Sequence, residues 1–341
     1  MPGFLTHYIG GQVALKAAGS KIGGYIAPVT RLYNLGTQGP DIFFYYVSGF
    51  ITSRIKGVGT QMHDSNLGQF FMHMAEILKQ SKSPAQRQIV FAYTAGFLVH
   101  YAIDVHTHAY VYGKTHDPPG PKIKESARHR HFETSVDVLM LKRMYNRRPG
   151  YYKQWQLISP KKVHLRVAAA ATSDAIRGVY DRDINPVDVY RAMAQMAQFT
   201  RYLQSNSGRR KRWLGRVEDI TVGSRIISAL VHMQDVTDGY DYLNLQKSQW
   251  SAPWAPDETR TESFVELFEA GIACAAKMTR ALYEYMHDRL PKEELAGIIM
   301  NRSLKTGLDV YLPAGCPPMQ PGLNPCEVAE FDNPPTPGQS F

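Results

Sequence analysis

Six of the chain's 12 histidines fall within the 34 residues from His100 to Glu133, where they are interleaved with Asp104 and Glu133. Imidazole and carboxylate are the donors that zinc and other transition ions take when no thiolate is offered. The apolar content of residues 91–110, and their lack of proline, predict a helix there. On such a helix His100, Asp104 and His108 lie at about 0°, 40° and 80° around the axis and share one face, whereas His106 lies near about 240°. His129 and Glu133 are again four residues apart and project from one side of a second helix, while His131 turns away by about 200°. Asp137 continues the His129 face and is expected to hydrogen-bond a ligand from behind. Two His-x3-acid pairs this close together are a stronger signal than one, though weaker than a paired CxxC framework.

Further motifs accompany this segment in order along the chain. Thr6-His7-Tyr8 comes first, then Gly39-Pro40-Asp41-Ile42-Phe43 and Met62-His63. Gly96-Phe97-Leu98-Val99-His100-Tyr101-Ala102-Ile103-Asp104 leads into the ligand-rich stretch, and Asp241-Tyr242-Leu243-Asn244-Leu245 with Trp250, Pro253 and Trp254 lies downstream. In order and spacing this pattern resembles the bacterial zinc-dependent phospholipase C family, which is related to the zinc-dependent single-strand nucleases. The resemblance spans roughly residues 1–310 and is motif-specific over 1–140. It implies an all-α fold, a multi-helix bundle with a trinuclear metal cleft, and two or three Zn2+ ions as cofactors. Carried over residue by residue, it implies one ion held by Asp41, His63, His100 and Asp104. It implies a second held by His108, His129 and Glu133, and a third by His7 and Asp104, with Asp104 bridging. The secreted members complete the third site with an N-terminal Trp; this chain begins Met1-Pro2-Gly3 instead.

The chemistry that would follow is phosphate-ester hydrolysis, with a phospholipid head group or another phosphodiester as substrate. Closely spaced divalent cations clamp phosphoryl oxygens and lower the pKa of a bound water to about 7. Asp41 is the expected catalytic carboxylate, orienting or deprotonating that water. Manganese and iron suit the same donors. Two other readings compete: a single-strand nuclease, and a non-catalytic helical protein stapled by structural zinc. Closed structural sites use four protein ligands and catalytic sites leave a position open, so implied sites with fewer than four donors favour catalysis.

The remaining sequence bounds this picture. A length of 341 residues suits one large domain or two small ones, and residues 1–310 are expected to form one helical domain. Residues 311–341, rich in Pro and Gly, are expected to form an extended or disordered tail. Helices are predicted near 67–80, 85–110, 126–146, 161–178, 186–205, 217–236 and 261–290, with Ser83-Pro84 and Asn185-Pro186 as start signals. A loop is predicted over 109–125 and a Trp/Pro-rich connector over 245–262. No strand-turn-helix alternation or Gly-rich phosphate loop suggests a doubly wound sheet. The three cysteines Cys274, Cys316 and Cys326 make no metal spacing and point to a reducing compartment. No signal peptide and no apolar run of about 18–20 residues is read, so a cytoplasmic location is expected and no transmembrane segment. A formal charge of +9, with clusters at Arg209–Arg212 and Lys142–Lys153, favours phosphate-bearing partners. No nucleic-acid-binding motif accompanies it, and the simplest expectation for Arg209–Arg212 is a solvated loop. His73 is expected to be structural, and Tyr8, Tyr45, Tyr46 and Tyr101 flank the ligands, where shaping a substrate pocket and packing around a metal core are equally good readings. His116 falls in the predicted loop, within reach of a substrate.

Overall fold

The helix that carries three of the candidate ligands is also the axis of the molecule. In the computed structural model, which describes residues 3–47, 52–116, 125–205, 208–221 and 226–310, α6 spans Pro84–Thr115. Its 32 residues give a rod of about 48 Å. Ser83 caps it by accepting the Gln86 amide, and Pro84 occupies the first turn, where a missing N–H costs nothing. From Ile89 to Val111 nearly every side chain is buried, as expected of a helix enclosed on all sides. By length and composition α6 could cross a membrane, although His100 and Asp104 break any continuous apolar run; 94% of its most apolar stretch is buried inside the fold. This corrects the expectation that no segment is apolar enough.

The other helices of this all-α fold surround that rod: α1 (Phe4–Ala18), α2 (Ser20–Ile26), α3 (Thr30–Gly36), α4 (Thr52–Asp64), α5 (Leu67–Gln80), α7 (Glu125–Tyr145), α8 (Gln154–Leu157), α9 (Lys162–Tyr180), α10 (Pro186–Leu203), α11 (Arg209–Thr221), α12 (Ile226–Ala229), α13 (Phe264–Met286) and α14 (Lys292–Ile299). α13 and α3 pack most extensively on α6, and α1, α5, α7 and α9 also meet it. α3 comes unusually close because glycines face each other at the crossing. A Cβ on Gly96 would stand 2.1 Å from the Tyr33 carbonyl oxygen, and one on Gly36 would stand 2.4 Å from that of Tyr93. α10 begins as its sequence predicts, with the Asn185 side chain accepting the Val187 amide (2.9 Å). α13 starts with a reciprocal capping box between Ser263 and Glu266.

Several expectations are corrected. The predicted loop over 109–125 starts later, because α6 runs on to Thr115; residues 117–124 lie outside the described residues. The helix expected over 217–236 is found only in part: 217–221 close α11 and 226–229 form α12, whereas 230–236 are not helical and 222–225 lie outside the described residues. α11 starts earlier, at Arg209, and takes in the basic run expected to be a loop. The connector holds a two-stranded antiparallel hairpin, β1 (Trp250–Ala252) with β2 (Ala255–Arg260), pairing Trp250 with Arg260. The Asp241–Leu245 motif secures this connector: Asp241 accepts the Leu245 and Gln246 amides, and the Asn244 amide donates to the carbonyls of Ser248, Thr261 and Glu262. The proposed tail, with Cys316 and Cys326, lies outside the described residues; Cys274 is buried in α13.

Candidate metal centre

All eight candidate ligands converge. His7, His100 and Asp104 bring one donor atom each within 4.8 Å of one another; so do Asp41, His63 and His100, and so do His108, His129 and Glu133. They come from α1, the 3-10 turn Gly39–Tyr45, α4, α6 and α7. Asp104 lies at the middle of the α6 face. Its Oδ1 is 3.0 Å from His7 Nε2, and its Oδ2 is 3.1 Å from His100 Nε2 and 3.9 Å from His108 Nδ1. Asp41 Oδ1 stands 3.4 Å from His63 Nε2, and His129 Nε2 stands 2.7 Å from Glu133 Oε1. One expectation shifts: His100 groups with His7 as well as with Asp41 and His63, so it lies between the two inner sites rather than in one.

The Gly-Pro-Asp motif has a steric reason. Gly39 has φ of +49°, and a Cβ there would collide with the His100 ring at 2.4 Å. Only glycine lets the turn lie flat on the imidazole while adopting that backbone conformation. Asp41 is then presented to His63 from the same turn.

The ring nitrogens that face away from the cluster are tied down. Nδ1 of His63 meets the Gly59 carbonyl (2.6 Å), that of His100 the Thr37 carbonyl (3.2 Å), and that of His108 the Leu304 carbonyl. Nδ1 of His129 meets Thr115 Oγ1 (3.3 Å), whose own proton goes to the Val111 carbonyl. Carbonyls and an already-donating hydroxyl can only accept, so each of the four rings carries its proton on Nδ1 and turns the Nε2 lone pair inward.

The inward atoms do not satisfy one another. His100 Nε2, His108 Nε2, Asp104 Oδ2 and Asp41 Oδ1 are buried without a hydrogen bond. Buried polar atoms rarely go without a partner, and four lone-pair donors converging on one region fit a divalent cation. Protonation agrees. Burial lowers the pKa of the His100 and His129 imidazoles and pushes that of His108 down to about 3, which keeps them neutral at pH 7. Burial works against ionising Asp104 and Asp41. The surrounding imidazoles outweigh it, His100 foremost at Asp104 and His63 at Asp41, and hold both carboxyls below their ordinary values. Neutral imidazole and ionised carboxylate are the states a cation binds.

His106 and His131 stay out, as the helical-face reading expects. His106 Nδ1 bonds to the Ala102 carbonyl (2.7 Å), and the ring lines a separate cavity of about 10 Å³ with Cys274 and Arg302. His131 is exposed near Tyr242. His73 pairs with Asp174 between α5 and α9. His116 pairs with Glu125 (3.2 Å) across the ends of α6 and α7. Tyr46 and Tyr101 serve the scaffold, Tyr46 by donating to Asp188 and Tyr101 by bonding Met300 and Arg302. Tyr8 packs edge-on to Tyr152 and Tyr45 against Phe199.

Asp137 needs correcting. Among the described residues it bonds no ligand imidazole; it accepts the backbone amides of Leu5 (2.9 Å) and Thr6 (2.8 Å) and faces His232 Nε2 (2.6 Å). It therefore fixes the start of α1, immediately before His7. The acceptors Thr37, Gly59 and Leu304 carry no sequence signal, because each acts through its carbonyl. Thr115, a side-chain acceptor, lies seven residues after His108 and is detectable only once α6 is known to run that far.

Comparison with known proteins agrees with this geometry. A family model described as zinc dependent phospholipase C matches residues 29–185, a stretch that contains every candidate ligand except His7. No curated protein and no solved structure matches the chain.

Proposed function

We propose, from the match of residues 29–185 to a family model described as zinc dependent phospholipase C, that this protein is a metal-dependent phosphodiesterase acting on a phospholipid-type ester. The observation that carries the reading is the convergence of four buried, unsatisfied donor atoms on one region, beside imidazoles whose outer nitrogens are already committed. A closed structural site would engage each donor with one fourfold-liganded ion. Here eight donors are spread over three adjoining groups, and His129 and Glu133 stay partly open to solvent, at 15% and 11% side-chain exposure.

In this reading Asp104, which faces His7 through Oδ1 and His100 and His108 through Oδ2, bridges neighbouring cations, and its charge offsets their repulsion. His7, His63, His100, His108, His129 and Glu133 supply the remaining donors. Zinc, when bound there, supplies Lewis acidity and lowers the pKa of a water. Asp41 is half-buried, unlike Asp104, with its Oδ1 3.4 Å from His63 Nε2, and in this reading it is the carboxylate that accepts a proton from the attacking water.

The test pairs metal analysis with turnover. Protein purified without chelator should hold at least two equivalents of divalent metal and hydrolyse phosphatidylcholine or a water-soluble chromogenic phosphodiester. Less than one equivalent after reconstitution with zinc removes the multinuclear reading. A metal-loaded protein that cleaves neither substrate is a structural-zinc protein, and one that cleaves only single-stranded nucleic acid is a nuclease.

A further inference from the structure

Helix α11 wears its amphipathicity inside out. Its inward side carries charge: Lys211 donates to the Val231 carbonyl (3.0 Å), and Glu218, only 5% exposed, accepts the amides of Ile227 and Ser228. Its outward side carries Trp213 (63% exposed), Val217 (37%) and Ile220 (85%). At about 100° per residue these three fall within an arc of about 60°, with Arg210 and Arg216 about 60° to either side of Trp213. A surface helix ordinarily turns such a stripe toward the core.

The basic character extends beyond the helix. At the N-terminal end of α11 a groove of about 700 Å³ is lined by Lys153, Trp155, Arg201, Gln204, Arg209 and Arg210, among others, with no carboxylate among its lining residues. The Arg201 guanidinium lies over the Trp155 ring at 5.1 Å. Exposed aliphatic and indole side chains bordered by arginines, on a chain of net charge +9, match the needs of a helix lying in a lipid interface. There the apolar stripe enters the acyl boundary and the cations meet phosphates. A nucleic acid would engage the arginines but offers no apolar phase for Val217 and Ile220.

We propose that α11 and the adjoining basic groove dock this protein on an anionic phospholipid bilayer. The position suits that role. The segment after α11 is seated on α7, with Thr134 donating to the Ala229 carbonyl and His232 facing Asp137. α11 is thereby tied to the helix that bears His129 and Glu133. The purpose of docking rests on the phospholipid-directed reading above, whereas the docking itself is measurable without turnover.

The experiment is co-sedimentation of the full chain with phosphatidylcholine vesicles and with equimolar phosphatidylcholine–phosphatidylglycerol vesicles. Binding is expected to the anionic vesicles, to weaken as salt rises, and to fall by about tenfold or more in Trp213→Ser/Ile220→Ser, since two large apolar contacts are lost. Arg210→Gln/Arg216→Gln should weaken binding mainly at low salt, and Trp213→Phe should keep binding while removing the vesicle-induced blue shift of tryptophan emission. All these variants should keep the circular dichroism spectrum and the hydrolysis rate of a water-soluble phosphodiester. Wild-type protein that ignores anionic vesicles, or a serine variant that binds them undiminished, overturns the proposal. So does displacement from vesicles by a single-stranded oligonucleotide, which would assign the patch to nucleic acid. Vesicle binding without hydrolysis of any phosphodiester upholds docking and removes the hydrolase reading instead.

Discussion

The two ends of the candidate centre are built on different plans. The inner end joins His7, Asp41, His63, His100 and Asp104 from four elements, and its His7–Asp104 contact closes 97 residues of chain. His7, His63, His100 and Asp104 are almost wholly buried. The outer end joins His108, His129 and Glu133 from α6 and α7 alone, and His129 is partly solvent-exposed there, as Asp41 is at the inner end. A cation at the inner end would cross-link distant parts of the fold, so its binding energy would also be folding energy. One at the outer end would link two neighbouring helices and stay reachable by a substrate. Stability and turnover should therefore respond unequally to damage at the two ends.

Asp104→Asn should have the largest effect, because it removes the charge at the middle of the centre, where it faces His7, His100 and His108. Activity should fall well beyond the roughly 10–100-fold typical of residues behind the ligands, and the melting temperature should fall with it; wild-type turnover in this variant would remove the bridging role. Chelation, with metal loss verified, should come next. Each kcal/mol of lost stability lowers Tm by roughly 2–4 °C in a large domain, and an unchanged melting curve would show that the inner end is not a cross-link. Glu133→Gln should separate the two ends, lowering activity by about 10-fold or more through loss of a ligand charge while moving the melting temperature little. Equal thermal losses in Glu133→Gln and Asp104→Asn would break the comparison.

Asp137→Asn should act more weakly on turnover than Asp104→Asn, within about 10–100-fold. It should also cost about 1–3 kcal/mol of stability, since an amide cannot accept both the α1 backbone amides and the His232 contact that the carboxylate serves. A melting-temperature loss with full activity would mean that the start of α1 does not govern His7. The smallest effect belongs to His131→Gln, an exposed position off the ligand face, where activity and stability should stay near wild type.

Where sequence could see this design follows from the physics. His-x3-acid spacing reads out a helix face, so α6 and α7 expose their ligands in the sequence, and Gly39 marks a turn that no other residue could make. The Ser83 and Asn185 caps are equally visible, because a side chain does the capping. Thr37, Gly59 and Leu304 are invisible, because a carbonyl oxygen belongs to every residue and only tertiary placement aims it. Asp137 is only half legible for a related reason: helical periodicity gives its direction on α7 but not that the backbone of α1 lies opposite. The outward face of α11 is not legible in the sequence, because its apolar stripe looks like an ordinary core face and only the fold turns it outward.

The Leu304 carbonyl also sets an order of events. Residues Met300–Leu304 return to the centre long after the last ligand, Glu133, has been laid down: Leu304 accepts from His108 Nδ1 and donates its amide to the His63 carbonyl (3.0 Å), while Ser303 reaches the same carbonyl. A chain emerging from a ribosome thus holds all eight ligands long before the support behind His108 exists. The centre matures only once Leu304 has been made, so a chain cut short before Met300 would own every ligand yet leave His108 without its tether.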